Sequence, residues 1–195
     1  MKRHRILTRP NLRERCVELG FEFAVIDGEP YWDESAYYSF TLAEIENDIE
    51  APTEALAQLC LEFVDHACGN PAIMDHLRIP AHARDQITQS WKRGDKSLYG
   101  RFDLAYDGRG PAKMLEYNAD TPTALYEAAV FQWAWLEDQL KAHRLPEGAD
   151  QFNSLHDKLI ARFSEIAPAG SVLHMTAMVE SDEDRGTVEY LADCA

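Results

Sequence analysis

With 195 residues, 46% of them hydrophobic, the chain can bury a substantial core, and its length suits one or two domains. Thirty-four acidic against 19 basic residues give a formal net charge of −15, which argues against nucleic acid and anionic membranes as partners, while a cationic substrate would be drawn to such a surface. No apolar run is long enough to span a bilayer, and the basic N-terminus MKRHRILTRPNLRER lacks the apolar stretch of a secretory signal.

Cys16, Cys60, Cys68 and Cys194 show no C-x-x-C spacing, and the seven histidines are scattered, so neither a zinc site nor a disulfide framework is indicated. A reducing cytoplasm is the compartment this cysteine usage predicts. In chain order, residues 11–19 form a short helical candidate ended by Gly20. Residues 21–26 (FEFAVI) read as a strand leading into the turn Asp27-Gly28-Glu29-Pro30. The aromatic run that follows, with Tyr31, Trp32, Tyr37, Tyr38 and Phe40, suits packing between elements more than lining a pocket.

Thr41-Leu42-Ala43-Glu44 is a capping box, in which the hydroxyl and carboxylate answer two orphan backbone donors at a helix start. The helix carries Ile45 and Ile49, is expected to break at Pro52, and resumes with Leu56, Leu59, Cys60, Phe63 and Val64. That i, i+3, i+4 spacing predicts a buried stripe, with Cys60 and Cys68 as core residues. Residues 70–96 read as short helices and loops punctuated by Pro71 and Pro80, with Ile87 and Trp91 packed.

Residues 98–123 (LYGRFDLAYDGRGPAKMLEYNADTPT) predict a β-hairpin with strands over 101–107 and 112–118, joined by Gly108-Arg109-Gly110-Pro111. Alternation puts Arg101, Asp103 and Ala105 on one face, and Met114, Glu116 and Asn118 together on the return strand. Closing the turn with Asp107 opposite Ala112 sets Asp103 against Glu116 and Arg101 against Asn118. Two carboxylates directly opposed repel, at a cost approaching about 1 kcal/mol. Arg101 could offset this alone, or a hard cation such as Mg²⁺ could sit between Asp103, Glu116 and the Asn118 carbonyl; a solvated charged face is the plainer alternative.

Residues 118–123 form a polar turn in which Thr123 is placed to cap the next helix, over 124–142, apolar around much of its circumference. A Thr-rich turn feeding a helix N-terminus also suits a substrate carboxylate or phosphate. Residues 145–150 are a loop, and 154–166 an amphipathic helix with Leu155, Leu159, Ile160 and Phe163, stopped by Pro168 and Gly170. Residues 171–179 (SVLHMTAMV) read as a buried strand, 180–186 as an acidic loop, and 187–195 as the start of a helix with Val188, Leu191 and Ala192 on one face. Strand, loop and helix open an α/β unit that needs further strands to cover it, so the chain is expected to be the N-terminal part of a larger protein.

At the hairpin the sequence resembles the glutathionylspermidine synthase family, specifically members without the amidase half. The resemblance is carried by Gly28-Glu29-Pro30-Tyr31-Trp32 with Tyr37-Tyr38, Ser97-Leu98-Tyr99-Gly100-Arg101-Phe102-Asp103, and Leu115-Glu116-Tyr117-Asn118-Ala119-Asp120-Thr121-Pro122-Thr123. It continues through Leu125-Tyr126-Glu127, Gln132-Trp133, Leu136-Glu137-Asp138-Gln139 and Asp184-Arg185-Gly186-Thr187. The implied fold is a mixed α/β, ATP-grasp-like synthetase domain, present over residues 1–195 only in part and ending before the ATP-clamping portion. A central hairpin and sheet would be packed by amphipathic helices.

The implied chemistry is ATP-dependent formation of an amide from a carboxylic acid and an amine through an acyl phosphate, with Mg²⁺. On this resemblance Asp103, Glu116 and Asn118 match the metal ligands. Arg101 matches the catalytic arginine that contacts ATP's transferring phosphoryl and the acid. Thr121 and Thr123 stand where hydroxyl residues hold a glutathione-like peptide, and the resemblance sets Glu183 and Asp184 against a carboxylate pair near a polyamine-like amine. The Cys/His pair of the amidase half is absent, and the ATP-clamping lysines lie downstream of Ala195 in the family. The isolated chain is therefore expected to be inactive. A non-catalytic module binding a peptide or polyamine, and an inactive truncated fragment, are the alternatives that the sequence leaves open.

Overall fold

The computed structural model describes residues 1–120, 122–152, 154–178 and 180–195. It is a mixed α/β structure with small antiparallel sheets, and it divides into two compact units, Met1 with Phe40–Asn118, and Lys2–Ser39 with Ala119–Ala195.

The first unit starts at the predicted capping box. The Thr41 hydroxyl accepts from the Glu44 N–H, and the Glu44 carboxylate accepts from the Thr41 N–H at 2.7 Å. The helix then runs from α2 (Leu42–Glu44) through a π-helical turn (Ile45–Glu50) into α3 (Ala51–Cys68). Pro52 does not break it, contrary to expectation. A proline removes the hydrogen bond to the carbonyl four residues back, here Asp48. That carbonyl is satisfied from elsewhere, by the Ala112 N–H at 2.7 Å, and the π turn takes up the geometry.

Asn70 caps α4 (Pro71–His76) by accepting from the Ala72 and Ile73 N–H groups, and α5 (Ala81–Arg93) follows, ended by Gly94 in the left-handed region at φ 66°. Both helices pack on α3. The expected buried stripe of α3 is not buried: Leu59 is 60% and Phe63 49% exposed. The periodicity encodes a face that wants covering, and no described residue of this unit supplies the cover.

The second unit holds two hairpins. In one, β1 (Lys2–Arg5) pairs antiparallel with β4 (Ala36–Ser39), and His4 stacks on Tyr37 at 4.8 Å and bonds Ser39. In the other, β2 (Val25–Ile26) and β3 (Glu29–Pro30) close over Asp27 and Gly28, both at positive φ, the backbone a tight Asp-Gly hairpin requires. Only the end of the expected strand over 21–26 is therefore a strand. Its first half enters the core instead, because α1 (Leu12–Glu18) ends at Gly20 with the Phe21 N–H bonded back to the Cys16 carbonyl, which turns Phe21 inward.

Phe21, Phe23 and Phe131 form the core, with the Phe21 and Phe131 rings 4.2 Å apart and Trp32 edge-on to both. Buried beside it, Arg9 pairs with Glu34, reaches Asp138 at 2.7 Å, and lies over the Phe131 ring. The Trp32 indole N–H also donates to Glu34. A buried arginine with two carboxylates and an indole donor has its charges compensated, which removal of any one member would undo. The aromatic run is thus used mainly for packing, as expected.

The helix expected over 124–142 is a π-helical stretch (Glu127–Phe131) continued by α6 (Gln132–Lys141), and it is well buried. Its opening carbonyl is that of Ala124, at φ 64°, so Thr123 precedes the cap position it was expected to fill. Helix α7 (Leu155–Ile166) buries Leu159 and Phe163. Helix α8 (Asp182–Cys194) begins five residues earlier than expected. The supposed acidic loop is its first turn, Ser181 capping the Asp184 N–H while Asp182, Glu183 and Asp184 oppose the positive end of the helix dipole. The buried face of α8 is Thr187, Tyr190 and Cys194, not Val188, Leu191 and Ala192.

Residues 171–178 are no strand, and Val172 is 79% exposed. Apolar character favours a strand only where a partner ladder exists to take its backbone hydrogen bonds. The described sheets are all two-stranded and antiparallel, so the expected opening of a parallel sheet is absent among the described residues.

Candidate functional site

The hairpin of the first unit consists of β5 (Arg101–Ala105) and β6 (Lys113–Asn118), with Arg101 opposite Asn118 and Asp103 opposite Glu116. The expected pairs form, but by a different route. At the turn end Ala105 pairs with Lys113 and Leu104 with Met114, one residue out of step with a turn closed by Asp107 and Ala112. A bulge at Leu115, 70% exposed, restores the register at Asp103. One consequence is a correction of the faces: Met114 lies opposite Leu104, and Lys113 joins the face of Asp103 and Glu116. The other face is held by Phe102 and Tyr117, stacked at 4.2 Å.

On the polar face the Arg101 Nε donates to Asp103 at 2.7 Å, and the Asn118 amide donates to Glu116 at 2.8 Å. The Arg101 guanidinium holds the Asp103 carboxyl below the usual carboxylate range, so Asp103 stays ionised. Both Arg101 and Asp103 side chains are about one-third exposed, at 36%, which leaves the face open to a ligand. Gly100 is required at its position. A Cβ there would fall 2.7 Å from Tyr117 and 3.2 Å from the Asn118 carbonyl, on the end of the hairpin that carries Arg101.

Asp48 anchors the hairpin to the helix. Its carbonyl accepts from Ala112, and its carboxylate accepts from the Tyr106 hydroxyl at 2.7 Å. Sequence reading missed Asp48, because 58 residues separate it from Tyr106. Its one visible signal was its place four residues before Pro52.

Among the described residues no group of three or more His, Cys, Asp or Glu side chains could hold a metal ion. Asp103 and Glu116 with the Asn118 amide oxygen offer a smaller, all-oxygen set. That suits a cation such as Mg²⁺, which keeps several waters and takes one or two carboxylates together with substrate phosphates.

Thr123, Glu183 and Asp184 belong to the second unit, while Thr121 lies outside the described residues. Thr123 is half-buried beside Ala124, and Glu183 and Asp184 are half-buried in the first turn of α8. Glu183 Oε1 is 3.3 Å from the Tyr31 hydroxyl, which donates at 2.6 Å to Glu127, a carboxylate only 4% exposed. Sequence reading gave Tyr31 a packing role within the aromatic run and gave Glu127 no role beyond its place in the resemblance. The available signal was a glutamate on a helix otherwise buried through Leu125, Ala129 and Phe131.

Over residues 3–195 the chain matches the family described as glutathionylspermidine synthase preATP-grasp. It belongs to that family. A relative from Haemophilus influenzae, named "Putative acid--amine ligase", is 40% identical over 96% of this chain and 48% of its own length. The bifunctional glutathionylspermidine synthetase/amidases of Escherichia coli and Shigella flexneri are 27% identical over 67% of this chain and 20% of theirs. The chain thus spans about half or less of the curated relatives it matches. Family membership agrees with the resemblance carried by the R-x-D and E-x-N-A-D-T-P-T residues, and the mixed α/β architecture is the one expected. No helix among the described residues is long and apolar enough to cross a membrane. All four cysteines are free thiols.

Proposed function

We propose that the full-length protein is an ATP-dependent acid–amine ligase, and that this chain supplies the part of its site that handles the phosphoryl group and the acid. The observation that carries the reading is the hairpin face on which Arg101 and Asn118 flank the opposed Asp103 and Glu116. This close carboxylate pair lies in a chain 40% identical to a protein named as an acid–amine ligase.

Asp103, Glu116 and the amide oxygen of Asn118 would hold Mg²⁺, which when bound neutralises phosphate charge. Arg101 sits beside Asp103 with a planar fork of donors suited to a phosphoryl oxygen and to the acid's carboxylate. Its bond to Asp103 keeps it oriented. The acid is activated as an acyl phosphate, and attack by the amine forms the amide and releases phosphate. Thr121 and Thr123 would hold a glutathione-like acid, and Glu183 and Asp184 would attract a polyamine-like amine. The residues that clamp ATP would lie outside this chain, so the isolated chain would not turn over.

The test is ADP release by the full-length protein with Mg²⁺, screening glutathione and related acids against polyamines. Release that requires both an acid and an amine supports the reading. Asp103→Ala and Glu116→Ala should each lower turnover by at least about 10³-fold without changing the far-UV circular dichroism. Near-normal rates in either variant at saturating metal would remove that residue from the site. A peptide or polyamine that binds without any turnover would favour the non-catalytic module.

A further inference from the structure

Within the second unit, the turn before α1 and the C-terminal end of α6 enclose a cavity of about 360 Å³, a size typical of small-ligand sites. Arg9, Asn11, Asp138, Gln139, Lys141 and Arg144 line it. Gln139 is fully buried, and neither its Oε1 nor its Nε2 has a hydrogen-bond partner. A carboxamide offers two N–H donors and an acceptor oxygen, and burying both ends unmet is costly. An apolar side chain of the same size would avoid that cost, so the amide asks for partners that the protein does not supply.

The charged groups deepest in the lining are already committed. Arg9 gives its Nε to Glu34 at 3.0 Å and meets Asp138 at 2.7 Å, and Asp138 also meets Arg15 at 2.9 Å. Lys141 lies 3.8 Å from Glu137, an exposed pair that contributes little. Two groups are left over. Asn11 occupies the cap position of α1, where asparagine is among the best caps, yet its side chain makes no cap bond. Arg144 is exposed, and among the described residues its guanidinium has no carboxylate partner.

The backbone ties Arg144 to the orphaned amide. His143 takes a left-handed φ of 54°, uncommon for a residue with a Cβ, and the Arg144 N–H then bonds back to the Gln139 carbonyl at 2.9 Å. One residue thus anchors the start of the free guanidinium and carries the unmet carboxamide.

We propose that this cavity binds an N-acylated α-amino acid in its carboxylate form. The amide of such a ligand has one N–H and one carbonyl, which answer Gln139 Oε1 and Nε2 as a matched pair. Its carboxylate, one carbon away, suits the planar fork of Arg144, with the Asn11 carboxamide as a further donor on the wall. A plain inorganic anion would leave Gln139 Oε1 without a donor, and a metal ion would face an unneutralised guanidinium. None of these residues belongs to the hairpin face, so the site does not rest on the ligase reading.

The test is calorimetric titration of the full-length protein with N-acetylglycine. N-acetylglycinamide, which has the amide and no charge, and propanoate, which has the charge and no amide, are the controls. Wild type should bind N-acetylglycine at least tenfold more tightly than either. Because both amide ends of Gln139 are unpartnered in the protein, Gln139→Leu should weaken binding at least tenfold without lowering the melting temperature. Arg144→Ala, at an exposed position, should weaken it as much and stands in if Gln139→Leu fails to fold. Arg101→Lys should bind as the wild type does. Absent binding, binding matched by either control, or binding unchanged in Gln139→Leu or Arg144→Ala would overturn the site. A loss in Arg101→Lys equal to that in Arg144→Ala would place the ligand on the hairpin face and overturn it too. Failure of every acid–amine pair to release ADP, with N-acetylglycine still bound, would sink the ligase reading and leave this site standing.

Discussion

At the level of single residues, the roles proposed for the hairpin face cannot be exchanged by charge alone. Arg101 meets Asp103 through its Nε at 2.7 Å, so the planar guanidinium is held in place beside the carboxylate. Arg101→Lys keeps the charge and loses the fork, so on the proposed ligase function kcat of the full-length protein should fall by about 10²-fold or more at unchanged melting temperature, checked by steady-state kinetics and calorimetry. Glu44 provides a separate, acid-sensitive contribution. The Met1 ammonium and the Thr41 N–H hold its carboxyl down to about 2, below its ordinary value of 4.5. Its folded pKa is depressed, so its stabilisation is complete above about pH 4.5 and is lost as the pH falls towards 2. A melting-temperature series from pH 6 to pH 2 should therefore fall less steeply in Glu44→Gln than in the parent.

At the scale of elements, the Asp48 junction decides how the long helix and the hairpin are joined. Pro52 ordinarily costs a helix interior about 3 kcal/mol, but here the carbonyl it strands is bonded by Ala112. Pro52→Ala should thus change stability by less than about 1 kcal/mol, well short of the gain that relieving a helix-interior proline would give. Asp48→Ala removes the acceptor of the Tyr106 hydroxyl and should cost about 1.5–3 kcal/mol, measured by urea unfolding. In the second unit, Gly186→Ala forces a Cβ into the Phe23 ring and should cost about 1–3 kcal/mol while disturbing the first turn of α8. The helix start at Thr41/Glu44 was legible in the sequence, because a capping box is local chemistry, whereas Asn70 before Pro71 was read only as punctuation. The same local chemistry, Ser181 before three acidic residues, was present at α8 and was read as a loop because acidic runs are usually solvated.

At the scale of the whole molecule, apolar surface stays uncovered in each unit: Leu59, Phe63 and Val64 on α3, and Val172 and Met178 in the segment before α8. A residue already half exposed has little burial to lose. Leu59→Ser and Phe63→Ser in this chain should therefore shift stability by no more than about 0.5 kcal/mol while reducing dye binding to exposed apolar surface. By contrast Phe131→Ala, at a fully buried ring, should cost about 3–5 kcal/mol. The contrast between these substitutions, measured by chemical denaturation, separates surface from core more sharply than hydropathy does.

What could be read without the fold was the capped helix start at Thr41 and Glu44, the charge that disfavours nucleic acid, and the opposed pairs Arg101/Asn118 and Asp103/Glu116. Each depends on residues close in the chain or on a short turn. Packing between distant segments set the bulge at Leu115, the bond that lets Pro52 sit inside a helix, the exposure of α3, the absence of a strand over 171–178, and the meeting of Tyr31 with Glu127 and Glu183. Those depend on partners distant in the chain, or on whether a partner is present at all. Periodicity specifies which face of an element seeks burial; what buries it, and which polar atoms are left unpaired, is settled by packing.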